Sequence, residues 1–198
     1  MKQLLKPLAF TLSLFAGAFS SAPFAASSGD NPMIIMSTTL GDIEIELYPD
    51  AAPMTVKNFI EYVENGHFDG VIFHRVIPGF VIQGGGYNPD MSERPTNAPI
   101  ENEADNGLKN LKGTLSMART NDPHSATAQF FINLTDNAFL DFKSKDVQGW
   151  GYAVFAKVVK GMDVVKKIAK VKTGNNRGHS DVPVEPVIIN QAKVKESL

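Results

Sequence analysis

Phe73-His-Arg-Val-Ile-Pro-Gly-Phe80-Val-Ile-Gln83-Gly-Gly-Gly86 sets one permanent cation, Arg75, among apolar side chains, beside a glutamine and three consecutive glycines. The apolar runs 71–77 and 80–83 lie on either side of Pro78-Gly79, and each reads as a short strand with the dipeptide as the turn. An arginine on a strand is commonly just solvated. Its company here argues for more: Phe80 and Gln83 follow the turn, and a second stretch ends Ala128-Gln129-Phe130-Phe131, adding another amide and more aromatic surface. Such residues make an apolar pocket with hydrogen-bonding groups on its rim, suited to an apolar ring attached to a polar backbone. Proline in a peptide answers that description. The glycines read as positions of positive φ and close backbone approach at the edge of this groove. A phosphate loop is disfavoured, because no Gly-Lys-Ser/Thr follows.

Outward from this stretch the chain reads as many short strands and two helices. Runs 34–39 and 42–48 flank Leu40-Gly41, and Ile43, Ile45 and Leu47 alternate with Asp42, Glu44 and Glu46, the period of a half-buried strand in a hairpin. Pro53 fits a first helical turn, Val56, Phe59, Ile60 and Val63 repeat at helical spacing, and Gly66 suits a left-handed cap, which predicts a helix over 53–65. Further strands are expected at 113–118, 130–134, 152–159 and 187–194, and a second helix at 162–170. No internal repeat or low-complexity linker divides the chain, so residues 28–198 read as one domain. A closed antiparallel sheet follows from so many short strands, since closure removes exposed edges.

Ahead of that domain, Lys2 and Lys6, an apolar run over 8–18 and small residues around Ala25-Ala26-Ser27 compose a secretory signal peptide, residues 1–27. The apolar run is short of the roughly 20 residues that a membrane-spanning helix needs. Of 19 basic residues two lie in this leader, which has no acid, so its removal leaves 17 basic against 21 acidic residues, a net charge of −4. No basic stripe interleaved with aromatics appears, which argues against nucleic acid as a partner. The chain has no cysteine, which rules out disulfides and thiolate metal sites. His67, His74, His124 and His179 lie in separate segments without ligand-like spacing and read as surface or supporting residues, so no metal is expected. Ser116 lacks a Gly-x-Ser-x-Gly elbow, which argues against a hydrolase triad.

The two blocks, 73–86 and 113–131, in this order resemble the signatures of the cyclophilins, the prolyl cis/trans isomerases that bind cyclosporin. The resemblance runs from the hairpin at Ile34 to Val194. It implies a mainly β fold, a closed eight-stranded antiparallel barrel with a helix capping each end and the groove on its outer face. It implies catalysis by Arg75, with Phe80, Val81, Gln83, Gln129, Phe131, Phe139, Leu140 and Tyr152 in the substrate groove. Ala118, Arg119 and Thr120 occupy the segment whose backbone pairs with bound peptide. Val81 stands where a methionine is common, Phe139 where cyclosporin-sensitive members have tryptophan, and Tyr152 where a histidine is usual. Weak cyclosporin binding is therefore expected. The insertion 142–151, containing Trp150, has no assigned counterpart. Ala118-Arg119-Thr120, Phe139, Tyr152 and the leader look most like the periplasmic cyclophilins of Gram-negative bacteria. The expectation is a periplasmic, monomeric isomerase without cofactor that acts on proline-containing peptides and unfolded exported chains. Two other classes stay open: a non-catalytic peptide-holding chaperone, and an interaction protein that uses the fold without the activity.

Overall fold

The computed structural model describes residues 31–195; the proposed leader, 1–27, lies outside the described residues. Strands β1 (Met33–Thr38) and β2 (Gly41–Leu47) pair antiparallel from Met33 opposite Glu46 to Thr38 opposite Gly41. Their alternation sends Ile34, Met36, Ile43, Ile45 and Leu47 wholly inside. Helix α1 (Pro53–Glu64) buries Val56, Phe59, Tyr62 and Val63 along one stripe. No side chain near its start caps it. Glu103, 48 residues away, does so instead: its carboxylate accepts hydrogen bonds from the Met54 N–H (3.0 Å), the Thr55 N–H (2.8 Å) and the Thr55 hydroxyl (2.7 Å). At the other end Gly66 takes φ +65°, and the N–H groups of Gly66 and His67 close onto the carbonyls of Val63 and Tyr62, as the sequence predicts for a glycine-terminated helix.

The chain continues through β3 (Arg75–Ile77), β4 (Val81–Gly84), β5 (Thr114–Met117), β6 (Phe130–Asn133), β7 (Val154–Lys160), α2 (Met162–Ile168), β8 (Thr173–Asn176), β9 (His179–Pro183) and β10 (Ile189–Val194). Eight of the strands form one antiparallel sheet in the order β10-β1-β2-β7-β5-β6-β4-β3. Inside it an aromatic cluster joins α1 to the sheet, with Phe59 5.0 Å from both Phe68 and Phe155, and Phe130 edge-on to Phe68 at 5.6 Å. Helix α1 packs on β7 and β10, and α2 on β2.

The expected closed barrel is met in part. The edge strands β10 and β3 are not joined by a ladder, so the sheet as laddered is open. The strand expected over 71–77 shrinks to three residues because its first three amides point to different places: Val71 N–H to Phe68 O, Ile72 N–H to Tyr87 O and Phe73 N–H to Val187 O. Three backbone hydrogen bonds cross this seam, Phe73 N–H to Val187 O, Ile189 N–H to Val71 O and Gly70 N–H to Ile189 O, at 2.7–3.0 Å. The β8–β9 hairpin was not anticipated. It turns at Asn176-Arg177-Gly178-His179, with Arg177 and Gly178 both left-handed. The unassigned insertion 142–151 folds back on itself through Lys143 N–H to Gly149 O (2.7 Å), and Trp150 packs edge-on against His124 at 5.0 Å and Phe142 at 5.5 Å.

Candidate active site

Strand register builds the site. Arg75 on β3 stands opposite Gln83 on β4, and Gln83 stands opposite Phe131 on β6. Directly opposed residues share a face, so cation, amide and aromatic form one row across three strands on the outer side of the sheet. The neighbours Val76, Ile82 and Ile132 point the other way and are wholly buried in the core. Arg75 Nη1 donates to Gln83 Oε1 at 3.4 Å, a long contact, and Gln83 Nε2 donates to Gln129 Oε1 at 2.9 Å. The two glutamines thus hold each other, and Gln83 turns its oxygen to the guanidinium.

This row borders a groove of about 470 Å³. One end is apolar. Val81, Phe131 and Leu140 form a buried cluster, with Phe80, Ala118 and Tyr152 packed against it and Tyr152 edge-on to Phe131 at 5.5 Å. Arg119 lies over the Tyr152 ring at 4.7 Å and is fixed by donating from Nε to Gly151 O (2.9 Å) and from Nη1 to Thr120 O (2.8 Å). The insertion 142–151 therefore has a local task, since its last glycine anchors the arginine that covers Tyr152. In the segment 118–120, Ala118 N–H is bonded to Gln129 O and Thr120 N–H to Ser125 Oγ, which among the described residues leaves the Arg119 amide as the donor open to a ligand.

Ten of the twelve site residues expected from sequence line this groove. Phe139 and Thr120 do not. Phe139 is 65% exposed and stacks on the outer side of Phe80 at 5.6 Å. The Thr120 side chain is tied to Ser125 at 2.8 Å. Sequence reasoning missed His74, Tyr87, Gly178, His179 and Ser180, which form the other end of the groove. Two of the four histidines read as peripheral are thus groove residues, because strand β3 begins one position after His74 and the unforeseen hairpin carries His179. The motif itself, with His74 next to Arg75, held the only signal for the first.

His74 is 4% exposed, and burial, with His179 and Arg75 adding to it, pushes its imidazole down to about 4 from 6.5. Between those values the unfolded chain takes up a proton that the folded chain refuses, so this group's contribution is complete above the ordinary value and is lost as pH falls toward 4. The expected loss between pH 7 and pH 4 is about 3 kcal/mol. Burial lowers the His67 imidazole as well, with the same sign. Urea unfolding of wild type and His74→Gln at both pH values checks this: the variant should lose about 3 kcal/mol less on acidification. Equal losses would contradict it.

The model of the family "Cyclophilin type peptidyl-prolyl cis-trans isomerase/CLD" matches residues 33–194. The chain is 62% identical over 159 residues to peptidyl-prolyl cis-trans isomerase cyp18 of Streptomyces antibioticus, covering 80% of this chain and 96% of that one. It is 58% identical over 164 residues to peptidyl-prolyl cis-trans isomerase B of Escherichia coli strain K12, covering 83% and 100%. To peptidyl-prolyl cis-trans isomerase A of Dickeya dadantii it is 51% identical over 193 residues, covering 98% and 97%. Among solved structures, a cyclophilin-type isomerase of Cryptosporidium parvum, crystallised in the presence of the dipeptide Ala-Pro, superposes with a TM-score of 0.68 at 25% identity, covering 83% of this chain and 99% of that one.

Proposed function

The chain belongs to the cyclophilin-type peptidyl-prolyl cis-trans isomerases, and from that premise we propose that Arg75 is its catalytic group and exported, unfolded chains its substrates. The observation that carries the first part is the row Arg75–Gln83–Phe131, a cation and an amide on the rim of an apolar pocket. A proline ring fits against Val81, Phe131 and Leu140, with Phe80 and Tyr152 at its sides. The preceding peptide bond then lies under the guanidinium.

Rotation about X-Pro loses the resonance of the C–N bond, with a barrier of roughly 20 kcal/mol and uncatalysed times of tens to hundreds of seconds. In the twisted state the proline nitrogen is pyramidal and its lone pair is localised. A donor aimed at that nitrogen binds the twisted state better than the planar one, which is what lowers a barrier. Arginine suits the task because it keeps its charge and presents a planar fork of donors, while Gln83 fixes the fork's direction. An acceleration of about 10⁵ needs only roughly 7 kcal/mol, within the scale of one preorganised charged donor plus positioning and exclusion of water. No nucleophile, metal or nucleotide enters such a rotation. Activity should therefore stay nearly flat between about pH 6 and 9, and a bell-shaped profile would point to histidine chemistry instead.

The same reading takes the seam between 70–73 and 187–189 as the closure of the barrel, supported by its three backbone hydrogen bonds. Export is supported by the leader 1–27, and on this reading the mature chain is periplasmic. N-terminal sequencing of protein recovered from the periplasm of cells expressing the full chain tests this, and an uncleaved cytoplasmic product overturns it. A protease-coupled or NMR exchange assay on a short X-Pro peptide tests the activity.

Cyclosporin sensitivity should be weak. Phe139 preserves an exposed aromatic wall beside Phe80 but has no N–H to offer a drug carbonyl. An acceptor left unpaired in a largely dry contact costs about 1 to 3 kcal/mol, so Phe139→Trp should tighten cyclosporin binding by roughly ten- to a hundredfold. Peptide turnover should change little, since Phe139 stands outside the groove. Titration of both proteins with the drug decides it; equal affinities would move attention to Tyr152 and Trp150.

A further inference from the structure

Beyond Arg75 the groove does not end. It runs on between His74 and Tyr87 on one side and Gly178, His179 and Ser180 of the β8–β9 hairpin on the other. We infer that this end is a second subsite, which takes an acidic side chain on a residue flanking the substrate proline. The inference rests on the isomerase reading of the groove and adds a selectivity to it.

The wall is built rather than incidental. Strand β9 packs along β3, and Val182 is buried with Ile72, Tyr87 and Met91 in a small apolar cluster of its own. The Tyr87 ring packs against both histidines, 4.6 Å from His74 and 5.2 Å from His179, and its hydroxyl donates to Glu93 Oε1 at 2.8 Å. That bond fixes the ring and hence the spacing of the imidazoles.

His74 offers the subsite a donor. Its Nδ1 is sealed from solvent and has no partner among the described residues. An unfilled lone pair in a dry site is tolerated better than an orphaned N–H. The proton therefore belongs on Nε2, and His74, which lines the groove, presents an N–H there. The Ser180 hydroxyl and the ring of His179 line the same end. The charge pattern agrees: two arginines line the groove, and among the described residues no aspartate or glutamate does. A carboxylate entering here meets donors and the field of Arg75, while Glu93, which does not line the groove, is engaged by the Tyr87 hydroxyl. An aliphatic side chain would cover those donors without satisfying them, which is unfavourable.

The test is a peptide series in which the residue before or after proline is aspartate, asparagine, leucine or alanine, assayed with the full mature chain. At one of the two positions aspartate should raise kcat/KM over leucine by roughly five- to twentyfold, between the scale of an exposed ion pair and that of a buried charged hydrogen bond. The ratio should fall toward one in His179→Ala and Ser180→Ala, recover in His179→Gln, and shrink in 1 M salt. Asparagine should lie between the two. A ratio near one at both positions overturns the subsite while leaving the isomerase reading intact, provided that the alanine peptide is turned over. A preference that survives both alanine variants also overturns it. Failure to turn over the alanine peptide removes the isomerase reading and the subsite with it.

Discussion

Arg75→Ala is expected to lower kcat/KM for X-Pro isomerisation by roughly two to three decades, equivalent to about 3 to 4 kcal/mol, the scale of losing one preorganised donor that acts in the transition state. The loss should appear mainly in kcat. On the proposed reading the proline ring rests on Val81, Phe131 and Leu140, whose cluster the substitution does not touch, so peptide affinity should fall far less. Stability should change little, because the guanidinium is only part-buried and makes a single long contact, 3.4 Å to Gln83. Arg75→Lys separates charge from shape: it keeps the cation but loses the fork, and should recover only a small part of the activity. Line-shape analysis of a short X-Pro peptide, with enzyme variants checked by thermal melting, measures both effects. An alanine variant with wild-type turnover would remove Arg75 from the mechanism. Lost turnover with retained suppression of client aggregation would reveal a separate holding function in the same groove.

What was legible in the sequence was whatever obeys a period or a local motif. Ile43, Ile45 and Leu47 alternate with acids, so β2 could be read, and Pro53 with Gly66 bracketed α1 correctly. The row Arg75–Gln83–Phe131 was legible as a set of residues but not as a row, because register between β3, β4 and β6 is a property of pairing. The β8–β9 hairpin was invisible for a physical reason. Thr173-Gly174-Asn175-Asn176 carries no apolar alternation, its residues being largely exposed, so nothing in it distinguishes a strand from a loop except the Arg177-Gly178 turn. Missing the hairpin meant missing Gly178, His179 and Ser180, one whole wall of the groove. The cap on α1 was hidden differently: Glu103 is remote in sequence, and only the tertiary fold brings its carboxylate to Met54 and Thr55. Phe139 and Thr120 were drawn in by resemblance alone, and geometry sets one outside Phe80 and the other against Ser125.

The glycine run at the end of β4 gives the second large effect, split between two adjacent positions. Gly85 has φ +91°, and a Cβ there would lie 2.8 Å from Ala128 O and 3.1 Å from the rings of Phe68 and Phe130. None of these can yield, since one is backbone and the others are in the core. Left-handed backbone in an L-residue costs about 1 to 2 kcal/mol, and overpacking adds 1 to 3, so Gly85→Ala should destabilise by roughly 3 to 4 kcal/mol. Gly86 differs. Its backbone is not left-handed, and the three atoms nearest a Cβ would all belong to the Gln129 side chain, with Cγ and Nε2 at 2.6 Å. That chain can swing away, so Gly86→Ala should fold with a loss below about 1.5 kcal/mol, the cost of a tolerated core swap. Swinging away breaks the 2.9 Å bond from Gln83 to Gln129 and frees Gln83 to turn from Arg75. A misdirected donor is expected to cost about tenfold in kcat/KM, within the range for displacements near 1 Å. Urea unfolding and the isomerase assay on both variants should therefore give opposite profiles, one protein unstable and the other stable but slow. If Gly86→Ala retains full turnover, Gln129 does not orient Gln83. The guanidinium's direction would then come from its strand alone.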